Sequence, residues 1–212
     1  MANIKYSDLL DEVLPHLAAD PSDPVTENAI KRAVIEFCSD SWIWHYLPDP
    51  IDVVAGQARY PLENPIGTDV AAVLDVQHNT VPLDPRASSW LDREIPGWRV
   101  IRKTPKYYTQ VDTEEIILAA IPEANLTAGL TMTLALQPSQ RATEFPGWIC
   151  NQFIYDLANG AVAKLMLMPG QPWTDLQNGA DRRKQFDNAV AIARATAVSA
   201  LGRAPGRVKA QH

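Results

Sequence analysis

The sequence predicts an α+β protein: a helical bundle built from the N- and C-terminal segments, with a β-rich, sandwich- or barrel-like insertion between them. Near both ends apolar residues recur every three or four positions, the spacing of one helix face. Between Pro50 and about Arg141 the period falls to two, the spacing of one strand face. The chain has 212 residues, 46% hydrophobic and 21% charged, enough for one domain carrying an elaborate insertion. The expected division is 1–49 for the N-terminal helices, 50–141 for the insertion, 142–201 for the long C-terminal helices and 202–212 for a basic tail.

The elements follow in order. Tyr6 to Ala19 reads as a short helix with Leu9, Leu10, Val13, Leu14 and Leu17 on one face, Ser7 as N-cap and Pro15 as a kink or stop. DPSDP at 20–24 is a turn. A second helix begins near Pro24, with an apolar face of Ile30, Ala33, Val34, Phe37, Ser41 and Trp44, and ends before Pro48. Strands are expected at 51–54, 59–62, 69–77, 81–83, 98–103, 106–111, 115–121 and 130–137, with one helical turn at 88–93. In LTMTLALQ, Leu130, Met132 and Leu134 alternate with Thr131, Thr133 and Ala135, as in a half-buried strand. Helix returns near Pro146 with Cys150, Ile154, Leu157, Ala161, Leu165 and Met168 on a wide face, and stops at Met168-Pro169-Gly170. The last helix runs from about Trp173 to Leu201, its inner face Phe186, Val190, Ala193, Ala197 and Leu201, with alanines that permit close helix approach.

Composition excludes several classes. A formal net charge of −6 argues against a surface that coats nucleic acid. Two cysteines, Cys38 and Cys150, rule out a disulfide-dense scaffold. The opening MANIKYSDLLDEVLPHL lacks a basic-then-apolar leader pattern, and no run reaches the ~20 apolar residues of a membrane span, so the expectation is a soluble protein made inside the cell. Charge is uneven. Residues 1–50 carry nine acids and three bases, and residues 178–212 carry two acids and seven bases. Two surfaces with different partners are one reading; charges scattered over solvated helices are the other.

Catalytic signatures are missing: the sequence holds no P-loop, GxGxxG, GxSxG or HExxH string. Cys38 and His45, seven apart, would share a helix face as a nucleophile pair or half a metal site, or else be a buried structural pair. Asp11/Glu12, Glu114/Glu115 and Asp49/Asp52 offer carboxylates for a hydrolase, or plain solvated acids. Arg182, Arg183, Lys184, Arg203, Arg207 and Lys209 suit phosphate, but the tail lacks aromatics for base stacking, which favours docking on an acidic protein surface. Six tryptophans either pack helix–sheet junctions or anchor an interface; Trp98, Trp173, Arg182 and Arg183 are the candidate anchors. No cofactor or metal is expected.

The order of segments resembles the head-to-tail adaptor, or connector, proteins of short-tailed (podovirus-type) phages. The likeness rests on AVIEFCSDSWIWHYLPDPIDVVAGQARYPL (33–62), GTDVAAVLDV (67–76), PGW (96–98) and IPEANLTAGLTMTLALQPS (121–139). It continues in FPGWICNQFIYDLANGAVAKLMLMPGQPWTDL (145–176) and RRKQFDNAVAIARATA (182–197). The resemblance implies a structural virion protein of the neck or tail, assembled in the host cytoplasm and not an enzyme. About twelve copies would form a ring beneath the portal, closed by one repeated interface. That ring extends the DNA channel, lets genomic DNA pass without specific binding, and carries the tail nozzle or fibres. The portal-binding tail would be Gly202 to His212, with Gly202, Arg203, Pro205, Arg207, Val208 and Lys209 as its contacts. Two other readings stay open on the residues alone: a nucleic-acid-binding module using the basic C-terminal helix and tail, and a tail-associated cell-wall hydrolase.

Overall fold

The computed structural model describes residues 3–201, and the expected portal-binding tail at 202–212 lies outside the described residues. Along the chain run β1 (Asn3–Lys5), two short 3-10 turns flanking α1 (Leu10–Val13), α2 (Asp23–Ser41), β2 (His45–Tyr46), β3 (Ile51–Val53) and β4 (Arg59–Pro61). Next come β5 (Thr68–His78), β6 (Val81–Pro82), β7 (Asp84–Pro85), α3 (Ser88–Glu94), β8 (Tyr107–Gln110), β9 (Glu115–Ala119) and β10 (Leu126–Pro138). The chain closes with β11 (Glu144–Pro146), α4 (Gly147–Met166) and α5 (Leu176–Leu201). It is α+β, and it divides into two compact units: one made from the two ends of the chain, the other Trp44–Leu136.

In the two-ended unit, α2, α4 and α5 pack on one another, and β1 pairs antiparallel with β11. Phe37 of α2 is fully buried against Phe153 of α4 and Phe186 of α5, with ring centroids 4.8 and 6.1 Å away. At Gly160 the three helices come so close that an added β-carbon would sit 2.5 Å from Phe186 and 3.1 Å from Ala33. Of the anticipated α5 inner face, Phe186, Ala193 and Ala197 are buried.

The first helix departs from expectation. Instead of one helix over 6–19, the chain makes 3-10 turns at Tyr6–Leu9 and Leu14–His16 around the single α-turn of α1. Pro15 in the second of these cannot donate to an α-helical ladder. Ser7 does not cap; the start is tied by the Asp8 carboxylate, which accepts from the Lys5 backbone N–H at 3.1 Å. The second helix also ends early, at Ser41. Trp42 takes a left-handed conformation (φ 56°), unusual for a non-glycine residue. The Arg194 guanidinium lies 3.8 Å from the centre of its ring and donates to the Asp40 carbonyl, so a tertiary contact supports the stop.

In the Trp44–Leu136 unit a five-stranded sheet runs β2-β10-β5-β6, with β3 also pairing β10, and a four-stranded sheet runs β4-β9-β8-β7. Both sheets feed one core: Val53, Tyr60, Val76, Ile116, Leu118, Leu130 and Leu134 are buried in the same cluster. Leu130, Met132 and Leu134 face inward as their alternation predicts, but Ala135, expected on the outer face with Thr131 and Thr133, is fully buried as well. Residues 98–103 form no strand. They turn tightly, with Val100 and Ile101 N–H groups both donating to the Gly97 carbonyl, and Gly97 sits at φ 79°.

Candidate interaction surfaces

The basic side chains of α5 are largely committed inside their own unit. Glu36 of α2 accepts from Lys164 of α4 and from Arg183 of α5, the latter at 2.6 Å; Arg183 also reaches Asp187 one turn on, at 2.9 Å. Burial alone would raise the Glu36 pKa, but the hydrogen bonds and charges of Lys164 and Arg183 outweigh it and hold the carboxyl below its ordinary range. Arg182 donates to Asn159 at 2.5 Å and lies 3.3 Å from His16 Nδ1. Thus Arg182 and Arg183, named as anchors from sequence, are drawn into contacts that hold α5 on its neighbours.

Trp173 lies between α4 and α5, half-buried, with its Nε1 buried and without an acceptor. The loop around it is tied by the Thr174 hydroxyl, which accepts from the Gln171 N–H and donates to the Met168 carbonyl. Trp98 is 2% exposed and packs with Leu91, Ile117 and Ala119, while its Nε1 donates to Asp92 at 2.8 Å. Trp98 thus packs within its own unit and also lines an open cleft at the surface.

The chemical candidates do not assemble. Because α2 stops at Ser41, Cys38 and His45 share no helix face. Burial pushes the Cys38 thiol up to about 12, far from a nucleophile's range. Asp52 accepts from the Ala128 N–H, Glu115 pairs with Arg59, and the turn before Glu115 is capped by Asp112. Of the candidate acids, Asp52 and Glu115 thus hold structural contacts. Among the described residues no cluster of His, Cys, Asp and Glu could hold a metal ion, and no helix is long and apolar enough to cross a membrane.

Two features of the four-stranded sheet escaped the sequence reading. An open, mainly apolar cleft of about 260 Å³ is floored by Ile95, Trp98, Tyr107 and Ala119 and lined by Lys103 and Lys106. A loop after β4 presents Ile66 fully to solvent. The signal for the second was present in the sequence: a lone isoleucine between Pro65 and Gly67 in a polar stretch has no strand or helix neighbours to bury it.

Residues 4–209 match the family model of the SU10 adaptor protein. No curated protein matches the chain. With nearly the whole chain covered, the protein belongs to the SU10 adaptor protein family, the structural adaptors of phage virions.

Proposed function

We propose that this chain is the head-to-tail adaptor of a short-tailed phage. About twelve copies ring the underside of the portal, extend the DNA channel and carry the tail nozzle or fibres; a heterologous contact repeated around one axis closes such a ring. The observation that carries this reading is the family match over residues 4–209. The packing of α2, α4 and α5 supports a rigid helical bundle, in which a small-residue contact at Gly160 and a charge cluster at Glu36 fix the helices to one another. A net charge of −6 supports a conduit that DNA crosses without sticking, because like charges repel. The basic segment 202–212 is the proposed portal contact: a short cationic tail docks on an acidic surface and meets its ordering cost there. The same segment would serve a nucleic-acid arm, but Arg182, Arg183 and Arg194 each hold a contact within the helical unit, which leaves Lys184 as the exposed α5 base without such a contact among the described residues.

Native mass spectrometry of the protein alone, and mixed with the portal of the same virus, tests the reading. A monomer alone and about twelve copies per portal in the mixture are expected. Absence of portal binding at every salt concentration would remove it.

A further inference from the structure

We propose that Ile66 of one copy inserts into the Trp98 cleft of the next, as the head-to-tail contact between neighbouring subunits. The inference names the contact for the ring proposed above and rests on that reading.

The knob is built to stay exposed. Ile66 is fully solvent-exposed, yet its loop is not slack. Asn64 Nδ2 donates to the Thr68 carbonyl at 2.6 Å, and the Thr68 hydroxyl donates to the Pro65 carbonyl at 2.6 Å. The Thr68 N–H reaches the same Pro65 carbonyl at 3.1 Å. A loop locked this way loses little entropy on docking, so a buried isoleucine there returns most of its transfer free energy. Glu63 and Asp69, both exposed, flank the knob.

The hole has room for the knob and carries the opposite charge. Its volume of about 260 Å³ exceeds the space four aliphatic carbons need, ~120 Å³ at about one water volume each. The charged residues lining it are Lys103 and Lys106, opposite in sign to Glu63 and Asp69. Thr104, between them in sequence, is exposed on the same lining.

Knob and hole also lie at opposite ends of one sheet. Pro61 pairs with Glu115, and the Leu62 N–H donates to the Glu114 carbonyl, so the knob loop leaves from the Glu115 end of β9. The cleft is at the other end, where Tyr107 pairs with Ala119. Four residues of strand separate the two ends, roughly 13 Å at about 3.3 Å per residue. A knob and its complement on opposite ends of a rigid sheet cannot satisfy each other within one molecule. They make a heterologous contact, the type that propagates and closes into a ring.

The test is a disulfide cross-link on assembled rings. Ile66→Cys and Thr104→Cys are combined in the full chain, whose own Cys38 and Cys150 are buried. The variant is assembled on the portal of the same virus and then oxidised. A ladder of covalently joined copies is expected, absent from either single-cysteine variant. A charge-reversal pair gives a second readout. Lys103→Glu with Lys106→Glu should cut neighbour association about 10- to 100-fold, and adding Glu63→Lys with Asp69→Lys to the same chain should restore it. Complete rings that yield no ladder and ignore both charge reversals would overturn the contact while leaving the adaptor reading intact. Failure of the wild-type chain to bind the portal at all would overturn both.

Discussion

Replacing Gly160 with alanine tests the closest helix contact in the protein. In an ordinary exposed helix the change would stabilise by about 1 kcal/mol, because glycine is the poorer helix former. Here the new methyl would lie 2.5 Å from Phe186 Cδ2 and 2.6 Å from Cε2, about an ångström inside normal contact. The ring has no room to retreat: Phe186 is fully buried and packs on Phe37. Overpacking of this kind costs about 1–3 kcal/mol, and with a rigid aromatic as obstacle the upper part of that range applies. The net expectation is a loss of about 2 kcal/mol. For a chain of this length that corresponds to a fall of roughly 4–8 °C in Tm. Urea unfolding followed by far-UV circular dichroism measures it, with Phe186→Leu and the double variant completing a cycle. The double variant should recover part of the loss, giving a coupling energy of about 1 kcal/mol between the two sites. A Gly160→Ala protein as stable as wild type, or more stable, would show that helix propensity dominates and that the three helices do not pack this tightly.

Three further outcomes follow from charge and burial. Glu36 has a folded-state pKa below its unfolded value, so its contribution is complete above about pH 4.5 and fades as pH falls through the lowered folded value. Glu36→Gln should flatten that part of the stability–pH curve and cost about 1–3 kcal/mol at neutral pH, read by urea titrations at several pH values. Cys38 and Cys150 are both buried, and burial raises both thiols, so the native protein should react with a thiol reagent only at its unfolding rate. Trp173→Ala should reduce stability or ring assembly by more than the ~0.5 kcal/mol of an ordinary surface change, checked by thermal melts and portal-bound copy number.

The parts of the fold that were legible in the sequence are those where a single period runs long enough to decide. Leu130, Met132 and Leu134 lie inward on β10, although Ala135 from the outward set is buried too. The apolar rows of α2, α4 and α5 point to helices that the structure contains. What was not legible depends on partners far along the chain. Trp44 continues the apolar row of α2, yet α2 stops three residues earlier, at a turn supported by Arg194 from beyond residue 190. The Trp98–Lys103 stretch has strand-like residues, but Gly97 draws the Val100 and Ile101 N–H groups into a tight turn, and strand pairing is reduced to a single bridge from Arg102 to Ile121. Glu36 sits on a helix beside apolar residues and looks like any surface acid until Lys164 and Arg183 converge on it. Function was legible only through the order of segments, because an adaptor's work lies in surfaces, and a surface leaves no spacing rule in one sequence.

Portal docking is proposed to rest on the charge of the C-terminal segment. Arg182, Arg183 and Arg194 make the α5 region look like a cationic face, but each is occupied by a neighbour in its own unit. Lys184 is the exposed α5 base beside them, and Arg203, Arg207 and Lys209 are the ones on which portal docking is proposed to depend. Deleting residues 203–212 moves the formal net charge from −6 to −9 and touches none of the buried contacts at Phe37, Gly160 or Glu36. The truncated chain should melt within about 1 °C of wild type, since those contacts are made entirely by residues that remain. Its attachment to the portal should be lost, and the salt dependence of attachment seen with the full chain should go with it. Replacing the three bases with alanine in the full chain separates charge from length. If charge drives docking, the triple variant behaves like the truncation at physiological salt. A truncated protein that still builds full rings on the portal would place the docking determinants elsewhere in the chain.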